Sequence, residues 1–368
     1  MNVDASAIVG ALVARARAAQ QAFERYGQAQ VDEVVTAAGW AIVEPSRNRA
    51  LAELAVRDSR LGNVADKIAK NHRKTIGLLR DLKGARSVGV IDDDRERGLV
   101  EIARPVGVVA AITPSTNPAA TPANNILNAL KGRNAIVLAP SPKGRSTLAL
   151  LLEYVHAELD RVGAPRDLVQ ALPAGDRALT QELMRQADLV VATGSQKNVR
   201  GAYSSGTPAI GVGAGNVSAI VDETADVRDA AARIAASKTF DNATSCSSEN
   251  NVIALAANRE ALLDALREQG GVALDADETA RLQAAMFPDG HLAAPFIAQD
   301  APTIAARAGL ARPALREARF LVVEERGVGA AHPFSGEKLS PVLALYTAAD
   351  FAAATALAAR ILAYQGAG

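Results

Sequence analysis

The sequence predicts an α/β protein built on open, mostly parallel sheets and divided into more than one domain. Three observations carry this. From Pro105 onward, short apolar runs alternate with longer amphipathic segments, the βαβα pattern of a parallel sheet with helices between its strands. Several of these runs are apolar throughout, as expected of strands covered on both faces. The chain has 368 residues, which corresponds to two or three domains at roughly 150 residues each.

The composition narrows the function. Hydrophobic residues make up 49% and charged residues 22%, an ordinary balance for a globular protein. Lys+Arg and Asp+Glu stand at 40 each, so there is no basic field for nucleic acid and no acidic tail. No apolar run approaches the roughly 18 residues of a membrane span, so no membrane role is expected. The single cysteine excludes an internal disulfide framework and fits a reducing cytoplasm.

Residues 1–83 read as helices. In AIVGALVARARAAQQAF, residues Ile8, Leu12, Val13 and Ala16 share one helical face, which predicts an amphipathic helix packed on the body. The minor alternative is a tag that docks to a partner or shell. Pro45 opens one helix and 61–82 forms another. The pattern then changes: residues 87–104 alternate apolar and polar around a charged turn at 92–98, which predicts a β-hairpin. The DDD run is a solvated turn. The four histidines, His72, His156, His291 and His332, are scattered without ligand spacing, and no metal site is expected. Strands follow at 106–112, 135–139, 168–172, 188–192, 217–221, 251–255, 319–323 and 342–346, with a domain boundary near 222–226.

Four stretches carry chemistry. In KTFDNATSCSSENNVI, the lone Cys246 sits in a loop of small polar residues between a helix and a strand. A buried structural cysteine keeps apolar company, so this polar setting leaves two readings: a small core residue, the commoner case for a lone cysteine, and an accessible thiol. Glu249 follows three positions later and reads as exposed or helix-capping rather than as a base. In DLVVATGSQKNV, a strand runs into Thr193, Gly194 and Ser195 and then a helix, whose N-terminus suits either a pyrophosphate or a simple serine cap. In GVGAGN, residues 211–216, a strand follows the glycines where a dinucleotide fingerprint requires a helix. Glycines such as Gly213 therefore let backbone pass close to a ligand or to the thiol loop. In ITPSTNP, a strand ends at Thr113 and Pro114, and Asn117 lies between prolines. Its amide is either a helix cap or a donor aimed at a reacting carbonyl oxygen.

Taken in order, ITPSTNP, ATGS, GVGAGN, TFDNATSCSSEN and EKLSPV resemble the aldehyde dehydrogenase superfamily, from about Leu51 onward. Within it the chain resembles the CoA-acylating branch of acetaldehyde, propanal and sulfoacetaldehyde dehydrogenases. The resemblance implies a Rossmann-like parallel-sheet cofactor domain over 1–224 and a second α/β catalytic domain over 225–368. It implies NAD or NADP as cofactor and CoA as co-substrate. Cys246 matches the nucleophile, and Asn117 the side-chain oxyanion donor beside the Cys246 backbone N–H. Thr193, Gly194 and Ser195 match the pyrophosphate turn, and Glu337 the glutamate that holds the nicotinamide ribose. Thr113, Pro114 and Ser115 would lie along the cofactor, Ala139, Pro140 and Ser141 near its adenosine, and Gly213 beside it.

Departures from the wider superfamily refine this. Val212 stands where hydrolytic members carry the glutamate that activates water, and Ala139 where they carry a lysine near the adenosine ribose. Both losses are typical of the acylating branch. The chain stops at LAYQGAG, where members usually continue through a segment that completes the catalytic domain, and a histidine common in the acylating branch is absent. The resemblance thus implies C-terminal truncation. It also implies a homo-oligomer, dimer or tetramer, with the hairpin between subunits, and a cytoplasmic or microcompartment location. The alternatives are a hydrolytic dehydrogenase that yields a free acid and an inactive fragment that retains the fold.

Overall fold

Four helices lead the chain, and their faces follow from the spacing of their apolar residues. They are α1 (Ala5–Phe23), α2 (Gln28–Val43), α3 (Pro45–Ser59) and α4 (Val64–Leu82). These come from a computed structural model that describes residues 5–173 and 175–366. On α1 the buried face is Val9, Leu12, Val13, Ala16, Ala19 and Phe23, a helical repeat, while Ile8 packs at its margin. Pro45 takes the first turn of α3, where its missing N–H costs nothing, and the Glu44 side chain accepts the Arg47 N–H. The strands β1 (Gly89–Asp94) and β2 (Leu99–Ala103) form the antiparallel hairpin. Asp92 to Asp94 extend its first strand instead of lying in the turn.

The βα alternation then begins with β3 (Val108–Thr113), α5 (Ala120–Lys131), β4 (Ala135–Pro140), α6 (Arg145–Arg161) and β5 (Val169–Ala171). It continues through α7 (Arg177–Gln186), β6 (Leu189–Thr193), α8 (Gln196–Tyr203) and β7 (Ala209–Val212). The five strands form a parallel sheet in the order β5-β4-β3-β6-β7. Every residue of β3 is buried, as the unbroken apolar run requires. The chain moves outward from β3 through β4 to β5, then returns to the other side of β3 as β6. That reversal makes a topological switch point between the carboxyl ends of β3 and β6, where open α/β sheets bind ligands.

A second parallel sheet follows, in the order β10-β11-β12-β9-β8. Its elements are β8 (Ser218–Val221), α9 (Val227–Thr239), β9 (Asn251–Leu255), α10 (Arg259–Glu268), β10 (Gly271–Ala273), α11 (Ala276–Met286), α12 (Ala301–Arg307), β11 (Phe320–Glu324), β12 (Val342–Ala348) and α13 (Phe351–Gln365). Apolar clusters cover both faces, one around Leu321, Val323 and Tyr346 and the other around Val322, Leu343 and Leu345.

By its internal contacts the chain divides into residues 1–60 with 64–213, and 61–63 with 214–368. The division falls ahead of the 222–226 boundary read from the sequence, because β8 pairs with β9 and so joins the second sheet. The strands β7 and β10 were not legible in the sequence, being four and three residues long.

Candidate functional site

In the first unit, the proposed cofactor residues sit at carboxyl ends of adjacent parallel strands. Thr113 ends β3 and is buried, with Pro114 and Ser115 just beyond it. Ala139 is buried in β4, Pro140 ends that strand, and the Ser141 N–H donates to the Thr113 carbonyl at 3.1 Å. The Ser141 hydroxyl oxygen is buried without a hydrogen-bond partner. Thr193 ends β6, and Ser195 caps α8 by accepting the Asn198 N–H at 3.3 Å.

Between them Gly194 has φ +144°, a backbone conformation that strains any side chain. The Gly194 N–H donates to the Val212 carbonyl at 3.1 Å, which ties this turn to the end of β7. A switch point, a helix N-terminus and an unpartnered buried hydroxyl together fit a dinucleotide phosphate. Gly213 faces the other way. A Cβ there would lie 2.5 Å from the Gln196 Nε2, so its smallness serves packing against that side chain.

Asn117 lies on the half-buried loop ahead of α5, and it does not cap that helix. The cap position is Ala119, without a side-chain bond. The Asn117 carbonyl accepts the Thr121 N–H, while its amide makes no hydrogen bond among the described residues. The buried Lys67 ammonium donates to the Thr116 carbonyl at 3.2 Å and fixes the loop. The amide is thus left available, and the capping alternative is not what the chain adopts.

In the second unit, Cys246 is free and exposed, as the polar loop predicts. The loop ahead of it is tightly wound: Asp241, Asn242 and Ala243 all have positive φ, of 50°, 51° and 58°. Such a run of non-glycine residues is costly and persists because buried polar bonds hold it. The Asp241 carboxylate accepts the Asn63 N–H at 3.0 Å and the Thr244 hydroxyl at 2.6 Å. The Asn242 amide donates to the Ala298 carbonyl at 3.0 Å. After the cysteine, the Ser248 N–H donates back to the Ser245 carbonyl at 3.0 Å.

The backbone at 214–216 runs directly behind the thiol. A Cβ on Gly215 would come within 2.3 Å of the Cys246 carbonyl oxygen. The Gly215 N–H donates to Glu337 Oε1 at 3.2 Å, and its carbonyl accepts the Asn250 amide at 2.9 Å. Asn250 in turn accepts the Lys338 N–H at 3.0 Å. The nucleophile loop, the 214–216 segment and the 335–338 segment are therefore one buried hydrogen-bonded network. Sequence reasoning did not foresee the roles of Asn216, Asn250 and Asn251 in it. The signal was present in their being asparagines at the threshold of a buried strand.

Glu337 is half-buried. Burial pushes its carboxyl above the ordinary range, while the Gly215 N–H and the Lys238 and Lys338 ammonium groups pull it back. Glu249 is not the exposed or capping residue the sequence indicated. It is half-buried, and its Oε2 is fully covered without a hydrogen-bond partner. Elsewhere in this unit Phe296 and Ser335 are buried, His291 is exposed, and His332 bonds Glu325 at 2.7 Å.

These features, a parallel-sheet unit with a strand-to-helix turn beside its switch point and a second unit presenting one exposed thiol, fit the class of nucleotide-dependent enzymes that work through a cysteine. A model of the aldehyde dehydrogenase family matches residues 3–273. The chain belongs to the aldehyde dehydrogenase family, and the match takes in the N-terminal helices that lie ahead of the resemblance read from about Leu51. It is 63% identical over 365 residues to a sulfoacetaldehyde dehydrogenase (acylating) from Cupriavidus necator, covering 99% of this chain and 74% of that protein. An acetylating aldehyde dehydrogenase from Geobacillus thermoglucosidasius superposes with a TM-score of 0.94 at 36% identity, over 98% of this chain and 80% of the other. A Rhodopseudomonas palustris propionaldehyde dehydrogenase, solved with bound CoA and an acylated cysteine, gives 0.84 at 26% identity, over 96% and 80%.

Proposed function

We propose that this chain oxidises sulfoacetaldehyde and transfers the acyl group to CoA, with Cys246 as the nucleophile. The reaction class is that of an NAD(P)-dependent, CoA-acylating aldehyde dehydrogenase. The observation that carries the substrate is the 63% identity, over 99% of the chain, to an acylating sulfoacetaldehyde dehydrogenase. Cys246 is the only thiol in the chain, it is exposed, and a buried network holds its loop.

The steps follow from these residues. The Cys246 sulfur bonds to the aldehyde carbon, and the former carbonyl oxygen takes up negative charge. The Cys246 N–H is a donor to that oxygen, and the family resemblance assigns Asn117 as its side-chain donor, an electrostatic role whose removal typically costs about 10²–10³ in kcat. NAD(P)⁺ would supply the hydride acceptor when bound. Thr193, Gly194 and Ser195 would hold its pyrophosphate, residues 113–115 and 139–141 would line its course, and the family resemblance assigns Glu337 to a ribose hydroxyl. The thiol of CoA then takes the acyl group from Cys246, releasing the thiolate. Across the cycle one aldehyde, one NAD(P)⁺ and one CoA give an acyl-CoA, NAD(P)H and a proton. Val212 stands where hydrolytic members carry a base, so water lacks the roughly 10²–10⁴-fold help of acid–base catalysis.

On this reading the unit that ends at residue 213 serves the cofactor and the unit from 214 onward the thiol chemistry, in a cytoplasmic homo-oligomer. The exposed Val90, Leu99, Val100 and Ile102 on the hairpin support an interface there. No helix among the described residues is long and apolar enough to cross a membrane.

The test is NADH formation from sulfoacetaldehyde, acetaldehyde and propanal, each with and without CoA, in wild type and Cys246→Ala. Turnover of sulfoacetaldehyde that needs both CoA and Cys246 is expected. Turnover without CoA would move the protein to the hydrolytic class, and a preference for propanal would remove the sulfonate assignment alone.

A further inference from the structure

Lys238 is a fully buried charged side chain that the reaction described above does not use. It lies in the last turn of α9, eight positions before the nucleophile, with no solvent exposure. A buried ammonium is normally locked by hydrogen bonds to carboxylates or carbonyls. The Lys238 Nζ has none. The charged groups that face it are Glu249, from the loop just past Cys246, and Glu337 and Lys338, from the segment ahead of β12. The nearest comparison is Lys338, equally buried, whose Nζ is held by the Phe334 and Gly336 carbonyls. Lys338 is fixed in place by neutral acceptors. Lys238 instead belongs to a cluster that hydrogen bonds draw together: the Ser248 hydroxyl donates to the Ser237 carbonyl at 3.4 Å, which sets the end of α9 beside the loop of Glu249, and Gly215 bonds both Asn250 and Glu337. The Glu249 Oε2 is covered and also unpartnered.

We propose that Lys238 is a positioning residue: it takes up a proton beneath the Cys246 loop and so holds Glu337 as the anion that a ribose hydroxyl needs. The inference rests on the assignment of Glu337 to the cofactor. Its chemical basis is that burial pushes the Glu337 carboxyl above its ordinary range, and that its one direct hydrogen bond among those described is from the Gly215 N–H. A fixed cation nearby opposes that neutralisation. Burial also lowers the Lys238 ammonium from its ordinary value to about 7, against the pull of Glu249 and Glu337. The Lys238 charge is therefore present on the acid side of neutrality, the direction in which any carboxylate gains its proton, and is lost on the alkaline side.

This gives a signature that a space-filling role would not produce. Lys238→Met keeps the length of the side chain and removes the charge. At pH 8.5 its KM for NAD⁺ should lie within about twofold of wild type. At pH 6 it should rise roughly three- to tenfold, the effect of moving one carboxyl by up to about one pH unit. An equal defect at both pH values would overturn the proposal.

A second readout needs no turnover and no variant of Lys238. The infrared difference between wild type and Glu337→Gln, recorded from pH 5 to 8, isolates the Glu337 carboxyl. A carboxylate band at pH 6 supports the proposal, and a carboxylic-acid band there overturns it. The same titration in the Lys238→Met background should move to higher pH. If Glu337→Gln leaves NAD⁺ binding unchanged, the cofactor assignment of Glu337 fails, while the infrared titration still judges the link to Lys238.

Discussion

Gly215→Ala tests whether the thiol loop is held from behind by backbone. The new Cβ would lie 2.3 Å from the Cys246 carbonyl oxygen and 3.0 Å from the Cys246 carbonyl carbon and Cβ. A relaxed carbon–oxygen contact is about 3.3 Å or more, so roughly 1 Å of overlap must be relieved. The 214–216 segment has little freedom to retreat, since Gly215 is tied through its N–H to Glu337 and through its carbonyl to Asn250. The displacement then falls on the loop that carries the nucleophile. A shift of about 1 Å at a reacting atom can cost about 10²-fold in rate, while overpacking of this kind typically costs about 1–3 kcal/mol in stability. The expectation is a fall in kcat/KM of about two orders of magnitude with a melting temperature lower by several degrees. Steady-state NADH formation at saturating CoA, iodoacetamide labelling of Cys246 and a thermal melt measure the three quantities. Gly77→Ala on α4 is the control, because nothing lies within 4 Å of its new Cβ. A Gly215→Ala enzyme with wild-type kcat/KM and labelling rate would refute the argument that the close approach positions the thiol.

Further outcomes are expected elsewhere in the chain. Asn117→Ala should lower kcat by about 10²–10³ with little change in melting temperature, because the amide caps no helix and bonds nothing among the described residues. A large loss of stability with normal kcat would assign Asn117 to structure instead. Ala243→Gly should stabilise the protein by about 0.5–1 kcal/mol, since φ is +58° there and glycine relieves the left-handed strain. Chemical denaturation reads this directly, and a destabilised variant would mean that chain entropy outweighs the strain. Lys238 should also make stability depend on pH. Its ammonium is lowered to about 7 in the folded protein, so the unfolded chain holds more protons above that value. The cost of burial is full below about 7 and is relieved as pH rises toward 10, at up to ~1.4 kcal/mol per unit. The Lys238→Met variant should therefore be more stable than wild type at pH 7, with an advantage that shrinks by pH 10 in melts of both proteins.

The legible parts of the fold were those with a long local signal. The strand over 251–255 was read with its observed limits, because a short apolar run between Asn251 and Asn258 has few other solutions. β7 escaped, since Gly211 and its short length hide an edge strand whose pairing is non-local. The site divided in the same way. The exposure of Cys246 goes with its polar surroundings, and the turn at Thr193 to Ser195 was legible as a strand running into a capped helix. Gly213 and Gly215 looked alike in GVGAGN, yet one packs on the Gln196 side chain and the other on the Cys246 backbone. Which glycine serves which neighbour depends on chain segments distant in sequence. Glu249 was misjudged for a related reason. Its Oε2 is covered in the folded unit, and nothing within the loop records that.

The polar residues around Cys246 pose a physical question, since burying them without need would be costly. Asn216, Asn250 and Asn251 are buried, and their amides donate to the Ser335 carbonyl, the Gly215 carbonyl and the Asn216 amide oxygen. Asp241 is equally covered and accepts from Asn63 and Thr244. An apolar core of similar volume would stabilise the unit at least as well, but it would not specify one loop conformation, because dispersion is weakly directional. Hydrogen bonds fix direction as well as distance. The three successive left-handed residues before Cys246 show what that direction is used for: without these bonds the backbone would relax and carry the thiol with it. An acyl-enzyme must hold its carbonyl oxygen at one point through formation, oxidation and transfer. A loop strained into a single shape by buried polar bonds meets that demand, and a cysteine in an apolar core would not.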